Sequence, residues 1–262
     1  MIRVKAIVFF VLCSWVVQGQ VRLAKLVLKP KEVYELKGDI LVVDTLILQD
    51  SSKIILNKLK ADNFIHAKVA IFYRGSLIDG KGVHGIVGRN GRPGTSPQSP
   101  CTSGGQGTPG NDGTRGGAGT NLSLYFSEII VNGVFTIDVS GGDAGDGGIG
   151  GPGGGGGPGA RPCKAGNGGN GGTGGQGGNG GIGGNITFVS PRSMDIRSML
   201  GGNIVVRNYG GDQGLGGLGG ALGLSGLSPV GRTYMDGKAG KKGVRGNDGL
   251  PGQVGLLNFL EK

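Results

Sequence analysis

The sequence predicts a mainly β protein with polyproline-II character, a β-stack or β-solenoid-like core from which three glycine-rich hairpins project. Three observations point there. Residues 21–80 hold short segments rich in Val, Ile and Leu, separated by turn residues. Beyond Lys81, glycine falls on every third position in six separate runs. The spacers between those runs alternate between short proline-containing pieces and longer strand-like ones.

The strand candidates come first along the chain. They are "AKLVLKP", "EVYEL", "DILVVDTLILQD", "SKIILN", "FIHAKVAIF" and "GSLIDG", and no sustained helical period competes with them. Together they form an N-terminal β region over residues 20–81. The glycine runs span 82–94, 104–119, 142–159, 166–184, 211–226 and 237–255. Within each pair of runs, "TSPQSPCTS", "ARPCKA" and "LSPVGRTYM" suit turns. Between pairs, "TNLSLYFSEIIVNGVFTIDVSG" and "NITFVSPRSMDIRSMLGGNIVVRNYG" each read as two strands, and "LLNFL" as a final one. The repeat region 82–262 therefore alternates hairpins (82–119, 142–184, 211–255) with β segments (120–141, 185–210, 256–260).

A run of glycine ordinarily favours disorder, because glycine loses most conformational freedom on folding. A strict period of three points elsewhere. It matches the polyproline-II helix, which has three residues per turn and no internal hydrogen bonds, so its N–H and C=O groups need partners on neighbouring chains. Glycine on one side lets another backbone approach; two glycines per triplet allow neighbours on two sides. Glycine makes up 5 of 13, 8 of 16, 12 of 18, 13 of 19, 8 of 16 and 7 of 19 residues in the six runs. That rise and fall predicts a stack whose middle hairpin is the most enclosed.

The first nineteen residues, "MIRVKAIVFFVLCSWVVQG", have the form of a secretory signal peptide cut before Gln20. Its removal leaves Cys101 and Cys163, one in the turn of each of the first two hairpins. Stacked hairpins would bring these tips together, and an oxidising compartment would join them as a disulfide. The formal charge of +10 is spread along the chain without clusters or interleaved aromatics, so no nucleic-acid footprint is read. No later stretch is apolar enough to span a membrane as a helix.

The triplet runs, the two-glycine middle and the proline-containing reversals resemble polyglycine-II bundle proteins, as in springtail glycine-rich antifreeze proteins and phage tail-fibre adhesin tips. The resemblance covers about residues 82–255, is architectural, and implies a fold more than an activity. "GKAGKKGVRGNDGLPGQVG" also has collagen-like Gly-X-Y character. Eleven prolines, runs under twenty residues and G-G-x triplets count against a collagen triple helix.

Catalytic chemistry finds no foothold. His66 and His84 are the only histidines, and neither has a metal-ligand spacing. No phosphate-binding loop or nucleophile elbow is present. Asp143 and Asp146 offer either weak calcium binding or plain turn chemistry. Neither an enzyme, a cofactor nor a metal site is expected. Asn121-Leu-Ser123 and Asn185-Ile-Thr187 are sequons at equivalent junctions. They read either as N-glycosylation acceptors or as side chains that satisfy a backbone group there.

These features predict a secreted structural protein, non-enzymatic, working in an extracellular matrix, mineralised matrices included. Its expected partners are matrix or surface polymers or mineral, without nucleic acid, and its oligomeric state is left open. Two alternatives stand beside it: a surface adhesin binding glycans or cells through tips 95–103, 160–165 and 227–236, and an ice-binding protein.

Overall fold

The computed structural model describes residues 20–161, 163–229 and 235–261. The signal-peptide reading falls on 1–19, outside the described residues. Within them the protein is mainly β, built of parallel sheets with almost no helix. The strands are β1 (Gln20–Leu28), β2 (Val33–Glu35), β3 (Ile40–Leu48), β4 (Lys53–Ile55), β5 (Asp62–Tyr73) and β6 (Leu77–Asp79), followed by β7 (Asn121–Asn132), β8 (Phe135–Asp138), β9 (Ile186–Ser190), β10 (Ile204–Arg207) and β11 (Leu257–Glu261).

Odd strands form one sheet in the order β1-β3-β5-β7-β9-β11, and even strands form the other in the order β2-β4-β6-β8-β10. Every neighbour in both sheets is parallel. Parallel partners need a long crossover between them. Here the crossover is a visit to the opposite sheet, so the chain coils and each turn settles on the one before. Alternation along β3 sends Leu41, Val43, Leu46 and Leu48 inward, all at most 2% exposed. Phe72 and Phe135 stack in the same core with ring centroids 3.8 Å apart. The corner between the sheets takes positive φ at Lys31, Ser51 and Gly75 in successive turns, and Ser51 N–H donates to the Arg74 carbonyl to carry the stack around it. Both sheets run on without a break from the N-terminal strands into β7 and β8.

Residues 185–210 differ from the expected pair of strands by one helical turn, α1 (Ile196–Met199). Asp195 caps it by accepting the Ser198 N–H, and Ile196 is buried in the core. A single turn leaves no period of 3.6 to detect in the sequence.

The glycine runs lie outside both sheets yet keep their register. Leu122 N–H donates to Asn185 in the sheet, and Gly104 N–H donates to Asn167 at the same sequence offset. On the even-strand side, Gly80 N–H to Asp138 is followed by Gly85 N–H to Asp143, again at one offset. The outgoing runs (82–94, 142–159, 211–226) thus continue the even-strand sheet as one layer. The returning runs (104–119, 166–184, 237–255) continue the odd-strand sheet as a second.

Backbone bonds stitch the two layers together. Gly117 N–H donates to Val83, Gly142 to Gly117, Gly181 to Gly142, Gly211 to Gly181 and Gly252 to Gly211, all at 2.7–2.9 Å. This single thread passes through all six runs. Among the described residues, the first run is bonded only to the second and third, and the sixth only to the fourth and fifth. The third is bonded to the first, second, fourth and fifth, and the fourth to the second, third, fifth and sixth. The glycine-rich middle follows from this topology. A Cβ added at Gly174 would fall on the Gly217 carbonyl oxygen, and one at Gly175 on the Asn111 carbonyl oxygen.

Candidate functional site

The surfaces of the glycine layers follow from how each triplet uses its three residues. In the fourth run, Gly169 N–H bonds across to Gly154, Gly168 N–H bonds along the layer to Lys238, and Asn170 stands exposed. Exposed residues still serve the backbone. Asn167, Asn170, Asn179 and Asn185 accept through Oδ1 from the N–H groups of Lys238, Lys241, Leu250 and Leu256 at 2.7–2.9 Å. Asp112 accepts from Gln176 N–H, and Thr114 Oγ1 from Ile86 N–H. An Asx side chain at this phase therefore caps a neighbour's N–H that the backbone lattice leaves over.

The returning layer presents a polar outer face. Its middle row is Asn167, Asn170, Thr173, Gln176 and Asn179, ending in Ile182 toward the sheets. Beside it run Lys238, Lys241, Val244, Asn247 and Leu250, the residues whose carbonyls accept from the glycines of the middle row.

The outgoing layer presents a different face. The carbonyls of Leu215, Leu218, Ala221, Leu224 and Leu227 accept from the third run, so these residues share one triplet phase. Ile149 and Pro152 do the same for the first run. The large apolar members are well exposed, from Ile149 at 46% to Leu224 at 73%. Nearer the sheets the same face turns acidic with Asp143, Asp146 and Asp212.

Asp143 and Asp146 are already engaged. Their Oδ1 atoms accept from Asp212 and Leu215 N–H at 2.9 and 2.7 Å, and Asp143 Oδ2 lies 3.2 Å from His84 Nδ1. They are lattice caps, which supplies the physical reason for carboxylates there. Among the described residues, no group of three or more His, Cys, Asp or Glu could hold a metal ion. His66 sits on the outer face of β5, edge-on to Tyr125 at 5.9 Å.

The tips of the first two hairpins are joined. Cys101 and Cys163 form a disulfide with their Cα atoms 5.9 Å apart, and Cys101 N–H donates to Pro158 beside it. Part of the third tip, including Tyr234, lies outside the described residues. The sequon asparagines are stacked as their equivalent positions implied: Asn121 Oδ1 accepts from Asn185 N–H, and Asn121 Nδ2 donates to Asp62. Both therefore satisfy junction polar groups.

Sequence reasoning missed the launch points. Asp79 Oδ1 accepts from Lys81 N–H, and Asp138 Oδ1 accepts from Ser140 N–H, so an Asx turn closes each strand as its glycine run begins. Burial alone would raise the Asp79 pKa. The Lys53 ammonium at 2.8 Å, the Lys81 N–H and nearby Lys58 outweigh it and hold the carboxyl below its usual range. An Asp three or four residues before a glycine run, Asp79 before Gly82 and Asp138 before Gly142, was the available signal.

No helix among the described residues is long and apolar enough to cross a membrane. No protein-family model matches the chain, and no curated protein matches it either. Among solved structures, the chain is loosely similar to a springtail antifreeze protein from Granisotoma rainieri, described as a nine polyproline type II helical bundle. The identity is 24%, the match covers 65% of this chain and 93% of that one, and the TM-score is 0.10.

Proposed function

We propose that this is a secreted, non-enzymatic structural protein of an extracellular matrix. In this reading the six glycine runs are polyproline-II-type helices, bundled into a rigid slab that extends from the β core. The slab's two broad faces, polar and apolar, are its working surfaces against matrix or surface polymers or mineral. The observation that carries the reading is the triplet register: every third N–H is tied to a neighbouring backbone, so side chains stand in fixed rows. A rod held this way presents chemistry at regular spacing, about 9 Å per triplet along each run. A surface of that kind suits repeating polymers and lattices better than a single small molecule.

The test expresses the full chain in a secreting host and reads the mature N-terminus, the far-UV spectrum and retention on insoluble polymers and mineral powders. Secretion with Gln20 at the N-terminus, a polyproline-II spectrum and retention on a matrix solid are expected. A protein kept in the cytosol, or one bound to soluble glycans with no affinity for any solid, overturns the matrix reading; the second result favours an adhesin. Thermal hysteresis is expected to be absent, because Lys238 and Lys241 stand on the polar face.

A further inference from the structure

The outgoing face invites a partner. Monomeric proteins rarely expose a flat apolar patch of several hundred Å². Here Leu215, Leu218, Leu224 and Leu227 stand in one row at 53–73% exposure, beside Ile149 and exposed Pro152 and Pro158. The glycine layer beneath cannot fold these side chains inward. A Cβ in the places they would need falls on a carbonyl, as at Gly217 against Gly148.

We propose that this face binds the same face of a second copy of the chain, with the two slabs antiparallel. The proposal rests on the slab reading given above. Two further observations select this occupant. The first is charge. The sheet-proximal end of the face carries Asp143, Asp146 and Asp212, whereas Arg161, in the same triplet phase as Asp143 and Asp146, stands exposed at the distal tip. Antiparallel pairing lays each acidic base against the other copy's basic tip, and parallel pairing would set like charges together. The second is area. Twelve residue steps from Leu215 to Leu227 at ~3.1 Å span about 37 Å. Three runs about 5 Å apart give a width near 15 Å. A face on the order of 600 Å² per copy buries about 1,200 Å² in a pair, the lower end of a stable specific interface.

The geometry fixes the symmetry. A two-fold axis running across the runs reverses their direction but keeps their lateral order, so the fifth run packs on the fifth and the third on the third. Each leucine then meets a leucine of the other copy, Leu218 against Leu224 and Leu215 against Leu227. Ala221, midway between Leu215 and Leu227, lies at the axis and faces its own counterpart.

The experiment is sedimentation equilibrium on the full secreted chain with its disulfide intact, run beside Leu218→Asp/Leu224→Asp. A wild-type dimer is expected, with at least a tenfold weaker association in the double variant and an unchanged far-UV spectrum and melting curve. Ala221→Cys should form a disulfide-linked dimer under mild oxidation, and Thr173→Cys on the polar face should not. Added salt should weaken the dimer by screening its base-to-tip attraction. A wild-type chain that stays monomeric at its highest soluble concentration overturns the proposal. So does a dimer indifferent to the leucine substitutions, or one cross-linked through Thr173→Cys. If the wild-type spectrum lacks the polyproline-II signature, the slab reading itself falls and the pairing falls with it.

Discussion

The β coil and the glycine region continue one stack in one register, but they are held by opposite means. In the coil, the space between the two layers is filled by side chains, with Phe72, Phe135, Leu41 and Leu46 fully buried. Stability there comes mainly from apolar surface removed from water. In the glycine region the layers touch backbone to backbone, and what would be core is a lattice of N–H···O bonds. The handover is abrupt. Val139 is fully buried, and a Cβ at Gly80 would collide with Thr120 and Leu56. Beyond that plug no side chain fits between the layers. The lesson is that register, once set by a hydrophobic core, can be carried far beyond it by chain geometry alone. The side chains so released become surface.

The comparison breaks most sharply at the middle glycines. Gly175→Val places branched carbons on the Asn111 backbone, where nothing flexible can yield. The expected result is loss of the cooperative melt of the glycine region, a cost above about 4 kcal/mol. Neighbouring Gln176→Val, on the exposed row, should stay within about 0.5 kcal/mol of wild type. Equal tolerance of both would show that the runs are not packed. Phe135→Ala probes the other half, with about 3–5 kcal/mol lost from the coil by cavity formation. Hydrogen exchange should show that loss in the strands before the glycine layers.

Reducing the Cys101–Cys163 bond, whose ends lie 62 residues apart, should cost about 2–4 kcal/mol and act first at the tips. Protection of Gly104 and Gly157 amides should fall while that of Gly82 and Gly184 holds. The smallest effect tests the joint itself. Because the Asp79 pKa is depressed in the folded state, its contribution is present above the unfolded carboxylate value and fades as pH falls through the lower folded value. Asp79→Asn should cost roughly 1–2 kcal/mol at neutral pH. The gap between variant and wild-type melting temperatures should close in titrations below about pH 4.

Much of this was legible in the sequence. The Val/Ile/Leu segments located the strands, and Cys101 and Cys163 in successive turns located the staple. The rise and fall of glycine density matches which runs are bonded on most sides. Parallel pairing was hidden, because alternation such as that of β3 shows one buried face without showing the partner's direction. The sorting of faces was hidden too. Leu215, Leu218, Leu224 and Leu227 are three or six residues apart, a phase that shows only once the runs are aligned to their neighbours. Asp143, Asp146, Asn121 and Asn185 show why the sequence left two readings open: a polar side chain that caps a backbone group looks in sequence like one waiting for a ligand or a glycan.

The asparagine caps also bear on how long such a protein lasts. Asn167, Asn170 and Asn179 are each followed by glycine. In a free chain, that glycine's nitrogen readily attacks the side-chain amide, expels ammonia and leaves aspartate or isoaspartate. Here the attacking nitrogens of Gly168, Gly171 and Gly180 are bonded to Lys238, Lys241 and Leu250. Each amide oxygen is held by the N–H of that same residue, so neither partner is free to close the ring. Folded protein should therefore age slowly at these three sites, and unfolded, reduced protein quickly, as mass spectrometry of incubated samples would record. A sequence dense in Asn-Gly would then owe its chemical durability to the same bonds that give it shape.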